Sequence, residues 1–217
     1  MHIPDAFIPI PQGIVYWLIA LVFVALALRW AKDEMNEEKL PLVAVLAAGI
    51  FALQSFNLPV SMGTSGHLVG GALAAIILGS PFAAIFILTM VLIVQGVLFG
   101  DGGITTMGAN IINMGVIGGF VGFYTFKGLM AATKSMPVAG FVAAWLACVI
   151  PSLACAVEMF IAGTFPLKEG LIAMGLYHAA IGVIEGIVTV AAIYLIASVR
   201  PDLIDNGTKS AKEGGTS

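Results

Sequence analysis

The chain has 217 residues, of which 60% are hydrophobic and only 10% charged, with a formal net charge of −3. A soluble domain carries about 25% charged residues, so this composition excludes a water-soluble globule, and the lack of a basic cluster excludes nucleic-acid work. The mean hydropathy of +1.07 places the chain in a bilayer, where only helices and closed barrels satisfy the backbone.

The chain opens MHIPDAFIPIP. Residues 1–11 are apolar, hold three prolines (Pro4, Pro9, Pro11) and a single acid, Asp5. Such a stretch makes a poor solvated tail and is expected to fold back into the mouth of a bundle. No cleavable signal is visible, because the first apolar run follows neutral residues and precedes Arg29, Lys32 and Lys39, the reverse of a secretory leader.

Continuous apolar runs read as helices, since barrel strands would alternate over about ten residues. Seven spans are expected: Ile14–Ala31, Leu40–Phe56, His67–Leu78, Pro81–Phe99, Met107–Phe126, Val138–Ala162 and Leu171–Val199. The third is short, and Gly79–Ser80–Pro81 reads either as a turn or as a kink. Lys and Arg concentrate on the cytoplasmic side, and they decide for a turn. Seven spans with the amino terminus outside place Arg29, Lys32, Lys39, Lys127, Lys134, Arg200, Lys209 and Lys212 inside, and only Lys168 outside. The fold class is therefore an all-α, multi-pass cell-membrane protein: an N-terminal segment at 1–11, a seven-helix transmembrane bundle over 12–200, and a polar, disordered cytoplasmic tail over 201–217.

The 26 glycines recur in small-xxx-small spacing (Gly66/Gly70, Gly115/Gly119, Gly118/Gly122, Gly182/Gly186), which lets helix backbones approach closely in lipid. A tight bundle is predicted, not an open pore. Ala44, Ala48 and Ala52 form a small-residue stripe on the second span, read either as internal packing or as a smooth face for a partner; Ala27 and Ala31 are a weaker example. Cys148 and Cys155 share one face of the sixth span and read as small packing residues.

The topology puts His2 and His67 in one compartment. A histidine in second place offers three nitrogens to one metal: the free amine of Met1, the backbone nitrogen of His2 and its ring Nδ1. They close a five- and a six-membered chelate ring, and a fourth nitrogen, such as that of His67, completes a square that suits Ni(II) or Cu(II). The amine titrates near pH 7.7–8.0, so metal can displace its proton at neutral pH, and the bulk of His2 protects Met1 from trimming. On spacing alone the competing reading, an incidental or satisfied histidine, stays open.

Three motifs in order, MHIPDAF, GTSGHLVGGALAAIILGSP and QGVLFGDGGITTMGANIINM, resemble the cobalt/nickel substrate-capture (S) components of energy-coupling-factor importers, the CbiM/NikM family. The likeness spans nearly the whole membrane portion. It implies that the amino terminus plugs the bundle and that the metal is held by the amine of Met1, the amide and ring of His2, and the ring of His67. It further implies a transmembrane coupling subunit and a pair of ATPase subunits, with room for a small accessory membrane subunit, and a bundle that topples to release metal inward. The chain departs from the family at Ala6, where glycine is usual, and at Phe82, where tryptophan is common.

Around these ligands, Gln95, Asp101, Asn110 and Asn113 are expected either to orient ligands and plug or simply to form a turn and bond neighbouring helices. Three ionisable groups lie within spans, Glu158, His178 and Glu185, and such residues are functional candidates. Glu158 and His178 lie at similar depth and suit a structural or gating pair; Glu185 has no evident partner. Two other readings are carried: an intramembrane serine protease of the rhomboid kind, with a Ser65–His178 dyad at the stretch GTSG, and an independent proton-coupled secondary transporter. Neither explains the Met-His start. The reading favoured is capture of extracellular Ni(II) or Co(II) as transported ligand, with the stripe Ala44, Ala48, Ala52 touching the coupling subunit. No Walker motif is present, so the chain is expected to be no enzyme, with no catalytic cofactor and no nucleic-acid partner.

Overall fold

A computed structural model describes residues 1–60 and 64–201. The tail over 202–217 and Gly63 of the GTSG stretch lie outside the described residues. The described residues form seven helices: α1 Ile10–Glu34, α2 Leu40–Gln54, α3 Gly71–Ile77, α4 Pro81–Phe99, α5 Met107–Thr133, α6 Met136–Ile161 and α7 Leu167–Val199. Pro sits in the first turn of α1, α2, α4 and α6, where its missing N–H costs no hydrogen bond.

Five of these helices, α1, α4, α5, α6 and α7, are long and apolar enough to cross a membrane. The other two depart from the sequence expectation. Helix α2 has 15 residues. The third expected span, His67–Leu78, holds only the seven helical residues of α3, about 10 Å at 1.5 Å each, against a hydrocarbon core of about 30 Å. Gly70 explains the late start, because its φ of +78° places the residue before α3 in the left-handed region. The all-α expectation needs a second correction. Between α2 and α3 the strands Leu58–Val60 (β1) and Thr64–Gly66 (β2) pair antiparallel, with Leu58 opposite Gly66 and Val60 opposite Thr64.

Helices α3 and α4 lie innermost. Along α3 every residue from Gly71 to Ala75 is buried, and on α4 Ala83, Ala84, Ile85, Ile87 and Leu88 are fully enclosed. Helices α6 and α7 share the largest helix interface, and α5 packs on both α6 and α3. Small residues make these contacts close, as expected. A Cβ built on Gly122 would stand 2.6 Å from Ala72 Cα, and one on Gly182 would stand 2.9 Å from the Trp145 ring. Conversely Leu18 and Val22 of α1 and Ile187 and Leu195 of α7 are exposed, the apolar outer surface a lipid-facing bundle needs. Ala27, by contrast, is 1% exposed against Ile85 and Val116, and Ala31 is buried too. That pair is internal packing and offers no face to a partner.

Two helices carry a π-helical turn, Gln95–Phe99 at the end of α4 and Ile111–Ile117 within α5. Such turns occur frequently at functional sites. Here they present Gln95 and Asn113 to the interior.

Candidate metal site

The first nine residues form the plug that the sequence predicts. Met1 and Ile3 are fully buried, His2 is 3% exposed and Ile8 2%. The loop and first turn before and within α5 grip the plug's main chain. The Ile3 amide donates to Asn110 Oδ1 at 2.9 Å. The Ile3 carbonyl accepts from Thr106 Oγ1 at 2.5 Å, the Gly103 amide at 3.0 Å and Asn110 Nδ2 at 3.2 Å. Nearer the surface the Asp5 carboxylate accepts from Thr105 Oγ1 at 2.6 Å and from the Thr105 and Ile104 amides at 2.8 and 3.2 Å. The Thr105 hydroxyl, with these amides, holds the Asp5 carboxyl below its ordinary range.

So fixed, the terminus lies against the Ser65–His67 segment. The Met1 amine donates to the Ser65 carbonyl and approaches Ser65 Oγ at 3.2 Å. Burial pushes its pKa down to about 5. The His2 ring stacks on the His67 ring, with centroids 4.3 Å apart and planes 24° from parallel. Burial, the larger cause, and then the amino-terminal charge push His2 down to about 4.

The hydrogen bonds of these rings decide where their lone pairs lie. His67 Nδ1 meets the Leu68 carbonyl at 2.8 Å; a carbonyl only accepts, so Nδ1 carries the proton and Nε2 is bare. His2 Nε2 lies 3.2 Å from Gln95 Oε1. His2 Nδ1 and His67 Nε2 are both buried without a hydrogen-bond partner. Buried polar atoms are nearly always satisfied, so two bare nitrogens on stacked rings mark a place where something else binds. Among the described residues no group of three or more His, Cys, Asp or Glu side chains is placed to hold a metal ion. The nitrogen-rich corner consists instead of two imidazoles and the start of the main chain.

The polar residues expected around the ligands divide. Gln95 contacts His2 and Asn110 clamps Ile3, as described. Asp101 reaches His2 from the solvent side, its Oδ1 3.3 Å from Nδ1. Asn113 turns away and donates to Glu158 Oε2 at 2.6 Å. The expected Glu158–His178 pair is therefore replaced by two separate attachments, for His178 Nδ1 donates to the Met174 carbonyl at 2.8 Å. His178 Nε2 is a third bare buried ring nitrogen among the described residues, at the seam where Cys148 Sγ meets the His178 carbonyl at 3.6 Å. Cys155 Sγ lies 4.0 Å from the Met1 carbonyl, so both free cysteines are small residues packed around the plug. Glu185, without a partner in the sequence reading, accepts from the Val69 and Gly70 amides at 2.9 and 2.8 Å and so caps the entrance to α3 just after His67.

Sequence reasoning missed Ser65 as the seat of the amine and Thr106 as a clamp on Ile3. The only signal available was their position, next to His67 and within the ITTMGAN stretch. The protease reading assigned Ser65 a different role and is not supported: its hydroxyl faces the Met1 amine, and His178 is tied to its own helix.

Comparison with known proteins decides the class. The family described as cobalt uptake substrate-specific transmembrane region matches residues 2–203 of the chain. The chain belongs to this family. It is thus a transport component and a multi-pass membrane protein, not an enzyme. A protein of Haloquadratum walsbyi named for metal transport is 39% identical over 94% of this chain and 93% of its own. The fused nickel transport protein NikMN of Rhodobacter capsulatus is 32% identical over 94% of this chain and 64% of its own length. A crystal structure of a truncated transition metal transporter superposes with a TM-score of 0.86 at 27% identity, covering 91% of this chain and 99% of that one.

Proposed function

We propose that the chain is the substrate-capture subunit of an ATP-driven energy-coupling importer and takes up Ni(II) or Co(II) from the outer face. The metal is the cargo. Its four nitrogens are the amine of Met1, the backbone nitrogen and ring Nδ1 of His2, and Nε2 of His67. The observation that carries this reading is the pair of bare, buried nitrogens on stacked rings, beside the buried amine of Met1. A square of nitrogens suits Ni(II); the family description and the nickel-named relative support the two metals named.

The reading includes seven crossings with the amino terminus outside, α3 and the non-helical His67–Gly70 completing the third. Gln95 and Asn110 align the ligands and the plug, with Asp101 beside the His2 ring; Asn113, Glu158 and Glu185 brace the helices around them. With no ATPase motif of its own, the subunit draws energy from a coupling subunit and a pair of ATPases. Ala44, Ala48 and Ala52, all exposed, form the contact with the coupling subunit.

The decisive experiment places one extra residue before Met1. Every side chain and the fold are kept, but the amine–amide–imidazole chelate is broken. Nickel and cobalt binding to the purified protein is expected to collapse. Unchanged binding would remove the amino terminus from the ligand set.

A further inference from the structure

We propose that Asp101 is the landing ligand of the site: its carboxylate takes a hydrated divalent cation from solvent and hands it to His2 Nδ1. The inference rests on the ligand set just proposed and adds the step that precedes it. Three features of the loop after α4 carry it.

The first is position. The Asp101 side chain is 28% exposed while that of His2 is 2% exposed, so the carboxylate straddles the boundary between solvent and the buried nitrogens. Its Oδ2 is held by Asn57 Nδ2 at 3.0 Å, which leaves Oδ1 turned to the His2 ring.

The second is an unresolved contact. Oδ1 lies 3.3 Å from His2 Nδ1, yet Nδ1 makes no hydrogen bond. A divalent cation touching both atoms would fill the place of that missing bond.

The third is backbone. Asp101 stands between Gly100 at φ +67° and Gly102 at φ +92°, and a Cβ on Gly102 would meet the His2 ring at 3.3 Å. The Asp101 amide donates to the Gln95 carbonyl at 3.0 Å, tying the loop to the residue that orients His2. The loop is folded to bring one carboxylate over one imidazole.

The step is a ligand exchange. Oδ1 replaces one water of the hydrated ion and Nδ1 a second; the remaining waters leave as the amine and the deprotonated amide bind, the amide proton passing to solvent, and Oδ1 is released as His67 Nε2 takes the fourth position. A carboxylate that only aligned the ring would act on the bound state and show in the dissociation rate. A landing ligand shows in the association rate.

The test is stopped-flow binding of Ni(II) chloride to the purified full chain in detergent, native against Asp101→Asn. The amide keeps the shape and an oxygen for Asn57 but removes the charge. Association is expected to slow about tenfold or more, the scale of electrostatic steering, with dissociation unchanged; raising the salt slows the native chain and not the variant. An unchanged association rate, or a loss confined to dissociation, overturns the proposal. If the variant does not fold by circular dichroism, the native salt series decides, and a flat association rate overturns it equally. The chain extended before Met1 is run alongside. Full binding by that form sinks the chelate reading itself, whatever Asp101→Asn shows.

Discussion

Ala6 is held at φ +72°, in the left-handed region that costs a residue with a Cβ about 1–2 kcal/mol. It is the turn that lets Met1–Asp5 run inward while α1 leaves the site. Glycine adopts this conformation without strain but loses more freedom on folding, by roughly 0.5–1 kcal/mol. The net expectation for Ala6→Gly is a gain of up to about 1 kcal/mol, read as a raised melting temperature in detergent; a clear drop would mean the turn is not strained. Gly102 makes the opposite case. Its φ is +92°, and a Cβ would meet Asn110 Nδ2 at 3.2 Å and the His2 ring at 3.3 Å. Gly102→Ala therefore displaces the plug residue that carries Nδ1, and nickel affinity is expected to fall about tenfold or more, roughly 1.4 kcal/mol, by isothermal titration. At this scale the sequence was most informative where chemistry is local. The Met-His start suggests the chelate proposed above, and the GDGG turn holds the carboxylate that lies beside His2. Partners far along the chain left no such trace: the Met1–Ser65 contact joins positions 64 apart, and the Glu185–Val69 bond positions 116 apart.

Helix α3 is the element on which the site turns. It begins four residues after His67, has only seven residues, and the amides of Val69 and Gly70 just before it are satisfied by Glu185 from α7. Short helices gain little from their own hydrogen bonds, so this carboxylate fixes both the start of α3 and the course of the chain leaving His67. Glu185→Gln replaces two charge-assisted bonds with at most one neutral bond and leaves a buried donor to be satisfied. A loss of about 1–3 kcal/mol in stability is expected, with metal affinity falling in parallel because His67 is anchored through the same turn. A variant that loses affinity with an unchanged melting temperature would instead place Glu185 in the site's own chemistry. The reason the helix was overestimated is physical. An apolar run counts side chains that belong in lipid, whereas helix length is set by main-chain conformation, and Gly70 at φ +78° delays the helix without changing the hydropathy. The π turns that aim Gln95 and Asn113 are equally invisible to an apolar count, while α1, α4, α5, α6 and α7 were legible because each is one long run between polar breaks.

For the molecule as a whole, the contrast between its two alanine stripes separates packing from partnership. Ala27 is enclosed by Ile85 and Val116, whereas Ala44, Ala48 and Ala52 are exposed. Two of these, Ala44 and Ala48, border a groove of about 450 Å³ between α2 and α4, with Phe86 and Met90 across it. In lipid, helices associate by close packing of small residues more than by burial of apolar surface, so an exposed alanine face is suited to another helix. The metal-binding end is built from the plug, the loop after α4 and the start of α3, and none of its hydrogen bonds passes through these alanines. Ala48→Trp is therefore expected to leave nickel binding by the purified chain within about twofold, far below the tenfold worth of 1.4 kcal/mol. Uptake into cells carrying the coupling and ATPase subunits is expected to be abolished. Ala27→Trp is the opposite control: overpacking a filled core costs typically about 1–3 kcal/mol, so stability and binding fall together, with or without partners. If Ala48→Trp behaved like Ala27→Trp, the exposed face would be part of the bundle's own packing and the coupling subunit would have to dock elsewhere. If it blocks uptake while the metal still binds, capture and transport are separable functions of opposite parts of one small bundle.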